Sequence, residues 1–395
     1  MPSFSKRMNE VSGDAIKEIL KHSANQEITS FSLGSPAKEL LPISDIKNIV
    51  NRILDNYGTK VLSYGVTEGW MPLRKSYLDH IALPKGIKAD VENVIMTTGA
   101  TQAVELLVEV FINKGDVVLV ENPTFLATLS VFDKYFANSI AIETDEYGMI
   151  LDDLEKKIKK YNPKMLYTIP TFQNPTGKTL PLERRKRIAE LASEYDFIVM
   201  EDDPYCDLRY RGEAIPPIKS FDTTGNVVLI NSFSKILSPG LRVGTMVTTP
   251  EIIKQLIVAK QGADTHTTNL TQAICAEFLN SGLLPNHLND MVPLYTERLD
   301  GMLEAIEKYF PEGTKYTKPE GGLFIWVDLP GNLDTNTLLE KAANEYKVAY
   351  VPGTPFFLNQ NDGKNSIRLN FSSNPVAIND DGLKRLGEFF KKELL

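Results

Sequence analysis

A lysine set among hydroxyls, with an arginine seven residues on, is the strongest chemical signal in the chain. It lies in Ser232-Phe233-Ser234-Lys235-Ile236-Leu237-Ser238-Pro239-Gly240-Leu241-Arg242-Val243-Gly244, directly after the apolar run Val227–Ile230. That run reads as a buried strand, so Lys235 falls at a strand end, where open α/β sheets bind ligands. A lysine whose pKa is depressed by its site can form an imine with an aldehyde. Ser232, Ser234 and Arg242 can surround a phosphate carrying close to two negative charges. The ordinary alternative is a solvated loop lysine, and the company that Lys235 keeps argues against it.

Three further segments fall between predicted elements. Thr97-Thr98-Gly99-Ala100-Thr101-Gln102 precedes a helical pattern. Gly99 permits a tight turn there, and the amides of Ala100 and Thr101 at a helix start form a ready anion site. An ordinary helix cap would look much the same. Asn174-Pro175-Thr176-Gly177 follows a strand and by itself reads as a turn. Glu201-Asp202-Asp203-Pro204-Tyr205 follows the strand Phe197–Met200. An acid at the end of a buried strand needs a cation, so Asp202 can pair with a protonated ring nitrogen. Tyr205 can hydrogen-bond a phenolate oxygen.

These segments require a scaffold of alternating strands and helices. Helical spacing appears at Ile46–Leu54 and at Thr101–Phe111, where Val104, Leu107, Val108 and Phe111 share a face. Short apolar runs at Val94–Met96, Val117–Val120, Met165–Ile169, Phe197–Met200, Val227–Ile230 and Thr245–Val247 read as buried strands of a mainly parallel sheet. After about residue 285 the rhythm changes. A helix over Leu294–Tyr309 leads to strands at Lys315–Thr317, Gly322–Leu329, Val348–Val351 and Ser366–Phe371, and then to a final helix over Asp380–Leu394. The expected division is a large α/β domain over 45–284, with 1–44 and 285–395 forming a smaller α+β domain. A helix near Asp14–His22 is expected to pack with the smaller part.

Composition narrows the function. With 395 residues, 42% hydrophobic and 24% charged, the chain has the balance of a soluble globular protein. A net charge of -8 disfavours nucleic acid and acidic membranes as partners. No run approaches the roughly 18 apolar residues of a membrane span. Cys206 and Cys275 are too few for a disulfide framework, and the four histidines lack metal-ligand spacing. With no apolar leader after Met1, a cytoplasmic protein without a bound metal is expected.

Taken in order, TTGATQ, NPTG, EDDPY, SFSK followed by PGLRVG, and the late IRLNFS resemble the class I/II aminotransferases. These are the fold-type I pyridoxal-phosphate enzymes, and the likeness is to the branch holding 2-aminoadipate, kynurenine and multisubstrate aromatic aminotransferases. The resemblance runs from Leu33-Gly34 to Asn370. It implies a large domain with a mainly parallel, seven-stranded-type sheet between helices, plus a smaller α+β domain. It also implies pyridoxal 5′-phosphate as cofactor, and transfer of an amino group from an L-amino acid to a 2-oxo acid such as 2-oxoglutarate by a ping-pong route. Aromatic, aliphatic and 2-aminoadipate-type donors are the implied substrates.

Residue by residue, Lys235 matches the Schiff-base lysine that also moves the Cα proton. Asp202 matches the carboxylate beside the pyridine nitrogen. Tyr205 and Asn174 match the groups at the cofactor's 3′-oxygen, with Asn174 also facing substrate. Ser232, Ser234, Arg242 and the amides of Ala100 and Thr101 match the phosphate cup. Tyr64, in Leu62-Ser63-Tyr64-Gly65, is similar to the tyrosine that reaches the partner subunit's phosphate, which implies a homodimer with shared active sites. Phe125 stands where the family usually has a tyrosine stacked on the ring; it keeps the stacking face and loses the hydroxyl. Arg368 matches the arginine that grips the substrate α-carboxylate. Gly34 resembles the glycine lining the substrate pocket, which makes Ala37–Pro42 an expected mobile closing segment. The motifs leave open a β-lyase using the same cofactor. A regulatory aminotransferase-like domain is disfavoured, because only about thirty residues precede Gly34.

Overall fold

The computed structural model describes residues 4–9, 17, 21–22 and 25–395. The helix expected near Asp14–His22 lies outside the described residues, isolated positions apart. A seven-stranded sheet forms the centre. Its strands in chain order are β1 (Val94–Thr97), β2 (Val117–Glu121), β3 (Asn138–Ile142), β4 (Met165–Thr168), β5 (Ile198–Asp202), β6 (Val227–Ser232) and β7 (Gly244–Val247). They lie side by side in the order β1-β7-β6-β5-β4-β2-β3. β7 runs antiparallel to both its neighbours, and the remaining pairings are parallel.

Sheet residues alternate between two apolar layers, as the two-residue period of a strand requires. Val228 and Ile230 join Ile95, Met200 and Met246 in one layer, under Ala103, Val104 and Leu107 of the helix Ala100–Phe111. Leu229 faces the other way with Val94, Met96 and Val247, under the helices Ile43–Val61, Met71–Tyr77 and Asn269–Asn280. β1, β4, β5, β6 and β7 are buried at every position, which is why they read as continuous apolar runs. β3 has no counterpart among the expected strands. It is an edge strand of sequence Asn-Ser-Ile-Ala-Ile, mostly half-exposed, so its apolar signal is weak.

A second, antiparallel sheet takes β8 (Lys315–Tyr316), β9 (Phe324–Asp328), β10 (Val351–Pro352) and β11 (Ser366–Asn370), in the order β8-β9-β11-β10. The strand expected over Val348–Val351 is divided. Val348–Ala349 pairs in parallel with Thr29–Ser30, while Val351–Pro352 pairs with β11. The helix expected from Leu294 begins at Leu283 and carries Pro293 inside it. Its residues Leu299, Met302 and Ile306 share a core with Leu383, Leu386 and Phe390 of the helix Val376–Glu393.

Candidate active site

The C-terminal ends of β1, β4, β5 and β6 open into one cavity, and most of the sequence-derived residues line it. Three chain segments meet in a single row of the sheet, because Gly244 at the start of β7 stands opposite Ser232 on one side and Thr97 on the other. A side chain at Gly244 would sit 2.7 Å from the carbonyl carbon of Gly99 and 2.9 Å from the amide of Ala100. Gly99 has φ +81°, and a Cβ there would overlap the guanidinium of Arg242. The two glycines thus leave a concavity that any side chain would fill.

Ala100, Thr101, Ser232, Ser234 and Arg242 surround that concavity. No side chain caps the helix start at Gly99, which leaves it open to an anion. Among the described residues Arg242 makes only long hydrogen bonds to backbone carbonyls, 3.4 Å to Thr98 and 3.5 Å to Pro239, so its charge is largely uncommitted there. Ser232 Oγ accepts from the amide of Ser234 at 3.1 Å, which sets the turn leading to Lys235.

The Lys235 ammonium donates to the carbonyl of Gly34 at 2.7 Å. Burial, with the positive charges of Arg368 and Arg242, brings its pKa down to about 8. On the neighbouring strand, Asp202 is buried. Its Oδ2 accepts from the Tyr167 hydroxyl at 2.9 Å, and its Oδ1 has no partner among the described residues. Burial pushes this carboxyl up to about 7. A buried carboxylate oxygen without a donor is costly, and its place in the cavity wall fits a cationic ring nitrogen.

A third group is wired together. Arg368 donates through Nη1 to Asn174 Oδ1 at 2.8 Å and through Nη2 to the carbonyl of Ser32 at 2.6 Å. Asn174 Nδ2 in turn donates to the Tyr205 hydroxyl at 3.3 Å. The guanidinium of Arg368 lies over the Phe324 ring at 4.1 Å and near the Phe356 ring at 5.1 Å. Burial lowers its pKa to about 10. Its Nε has no partner among the described residues. Phe125, at the start of the helix Leu126–Lys134, is half-buried in the cavity wall.

Arg368 and Gly34 are therefore brought to the site through hydrogen bonds to Asn174 and Lys235. Gly34 also abuts Phe324, whose ring a Cβ would overlap. Tyr64 is not brought there. It stands 91% exposed on the surface, its ring edge-on to His266 at 5.9 Å between centroids. The expected mobile segment Ala37–Pro42 is tied down in this structure. The Ala37 amide donates to the Tyr295 hydroxyl at 2.9 Å, and Glu39 pairs with Arg298.

Sequence reasoning missed Tyr167, Phe324, Phe356 and the Ser32 carbonyl. Only Tyr167 offered a signal: a buried tyrosine in an apolar strand needs a partner for its hydroxyl. Among the described residues no group of three or more His, Cys, Asp or Glu could hold a metal, and no helix is long and apolar enough to cross a membrane.

An anion concavity, a low-pKa lysine and an unpaired buried carboxylate oxygen in one cavity fit pyridoxal phosphate: its phosphate, its aldehyde and its ring nitrogen. Residues 29–386 match the family described as aminotransferase class I and II. The aromatic-amino-acid aminotransferase 1 of Thermococcus litoralis is 41% identical over 396 residues, covering 99% of this chain and 94% of that protein. The crystal structure of a multiple substrate aminotransferase from Thermococcus profundus superimposes with a TM-score of 0.94 at 40% identity, covering 99% of this chain and 98% of the other. The alpha-aminoadipate aminotransferase LysN of Thermus thermophilus, complexed with N-(5′-phosphopyridoxyl)-L-leucine, gives 0.91 at 36% identity, again covering 99% and 98%. The chain thus belongs to the class I and II aminotransferases, and it is a pyridoxal-phosphate-dependent enzyme of amino-acid transamination.

Proposed function

We propose that this cavity carries out transamination with Lys235 at its centre. The single observation supporting this most is that Lys235, held near pKa 8, shares its cavity wall with an Asp202 oxygen that has no partner among the described residues. When bound, pyridoxal phosphate supplies an aldehyde for the amino group and a ring that takes up the electrons left by the departing Cα proton. Ser232, Ser234, Arg242 and the amides of Ala100 and Thr101 hold the phosphate. The Asp202 carboxylate would keep the ring nitrogen protonated, Asn174 and Tyr205 would bond the 3′-oxygen, and Phe125 would pack on the ring face. The α-carboxylate binds Arg368, whose fork fixes the Cα–H bond toward Lys235. Lys235 Nζ, uncharged in an appreciable fraction near neutral pH, would take that proton from Cα and would deliver it to the cofactor's C4′. Gly34 lines the substrate pocket.

The preferred donors in this reading are aromatic, aliphatic or 2-aminoadipate-type L-amino acids, with 2-oxoglutarate as acceptor. The names of the relatives support it, and so does the aromatic floor of Phe324 and Phe356 beneath Arg368. A homodimer with shared sites is also part of the reading. Leu62, Tyr64, Val66 and Met71 form an exposed apolar stretch, which supports a partner surface there, and in this reading Tyr64 would reach the partner's phosphate. Residues 45–284 form the cofactor-binding domain, 1–44 and 285–395 the smaller one, and the cytoplasm is the compartment.

A panel of amino donors, added one at a time without acceptor, tests the reading. Loss of the absorbance of the Lys235-bound cofactor with release of the matching 2-oxo acid is expected, and Lys235→Ala should abolish both. Pyruvate and ammonia from a cysteine conjugate, with no spectral conversion by any donor, would replace transamination by β-elimination.

A further inference from the structure

The helix Pro250–Ala263 contains a lysine with no solvent exposure, Lys260. A lysine is seldom fully buried unless it is paired. Its ammonium donates to both oxygens of Asp264, at 2.8 and 3.0 Å, and to Gln102 Oε1 at 2.8 Å. Those two partners converge on Thr98. Gln102 Oε1 also accepts from the Thr98 amide at 2.7 Å, and Asp264 Oδ2 accepts from the Thr98 hydroxyl at 2.6 Å. Gln102 Nε2 closes the ring to Asp264 Oδ2 at 2.7 Å. The remaining polar group of Thr98, its carbonyl, takes the Arg242 guanidinium at 3.4 Å.

Every polar group of the residue just before Gly99 is therefore committed to this network or to Arg242. Gly99 then turns with positive φ, a conformation that a glycine does not hold unaided, and the helix-start amides follow it. Asp264 alone would set a negative charge behind a phosphate site. Lys260 offsets it: its ammonium is fully buried, while Asp264 keeps an edge toward solvent. We propose that Lys260, Asp264 and Gln102 are positioning residues for the cofactor phosphate, bracing the Thr98–Thr101 turn and the arginine that faces it. This rests on the assignment of that turn and Arg242 as the phosphate cup.

The test compares affinities of the full chain, stripped of cofactor, for pyridoxal phosphate and for pyridoxal, which lacks the phosphate. Lys260→Met removes the central charge. Thr98→Val is a near-isosteric change at a half-buried position, and it keeps the test open if the first variant folds poorly. Each loses charge-assisted bonds, so pyridoxal phosphate affinity should fall by roughly tenfold or more while pyridoxal affinity stays unchanged. An unchanged preference for the phosphorylated form in both variants, or an equal loss for both compounds, overturns the brace. Arg242→Ala separates the two ideas. If it abolishes the preference while the other variants keep it, only the brace fails; if it too leaves the preference intact, the phosphate cup lies elsewhere and both fall.

Discussion

Asp202→Asn should stabilise the cofactor-free protein and weaken the loaded one, with the gap widening as pH rises. In the cofactor-free fold, burial moves this carboxyl from 3.8 to about 7. The native state therefore keeps a proton that the unfolded chain loses. Stability from this group is full below the unfolded pKa and is lost as pH climbs through the folded one. The interval from 3.8 to about 7, at about 1.4 kcal/mol per decade of proton concentration, comes to roughly 4 kcal/mol above pH 7. Asparagine has the same shape, can still accept from Tyr167, and never ionises. The variant's advantage without cofactor should thus grow by about 2–3 kcal/mol between pH 5 and pH 8. With cofactor bound the order reverses, because asparagine cannot pair with a protonated ring nitrogen. Thermal unfolding of both proteins, with and without pyridoxal phosphate, at the two pH values reads the crossing. If the cofactor-free variant melts no higher than wild type at pH 8, the burial argument for Asp202 is wrong.

Other substitutions probe the remaining parts. Gly99→Ala places a methyl against the Arg242 guanidinium at a position with φ +81°, so pyridoxal phosphate affinity should drop by roughly tenfold or more. Gly240→Ala, whose nearest neighbour would be Ser238 Oγ at 3.7 Å, should leave that affinity alone; equal losses in the two titrations would remove the special role of Gly99. Arg368→Ala should raise KM for amino donor and oxo-acid acceptor alike by roughly a hundredfold, from the loss of paired charge-assisted bonds. An unchanged KM for either partner would exclude Arg368 as the carboxylate grip. Tyr167→Phe removes the hydrogen bond that favours ionised Asp202, so kcat should fall by about tenfold with KM little altered in steady-state kinetics.

The parts of the site legible in the sequence are those carried by short, local arrangements. Lys235, Ser232, Ser234 and Arg242 occupy one strand-to-strand connection, and Asp202 and Tyr205 another, so spacing alone kept each set together. Buried strands announced themselves by continuous apolar runs, whereas β3, at a half-exposed edge, did not. Contacts across long stretches of chain left no trace. Nothing in Ser32, Phe324 or Phe356 signals that they enclose an arginine on β11, because a carbonyl has no sequence signature and a phenylalanine looks like core. Nor could spacing show that Ala37 is pinned by a tyrosine in the helix Leu283–Tyr309. The extra turns at the start of that helix were hidden because Pro293 reads as a boundary, and the structure carries the helix through it.

The reversed strand β7 has a bearing on how the protein reaches its native state. Side chains switch faces with each residue along a strand, so a one-place slip of β7 would carry Gly244 out of the row it forms with Ser232 and Thr97, and would shift Arg242, two residues before it, along with it. A slipped sheet could still bury much of its apolar surface, yet it would have no concavity for the phosphate. If pyridoxal phosphate needs that concavity, its binding energy would add to the aligned sheet. The cofactor would then favour one strand register as well as serve as a reagent.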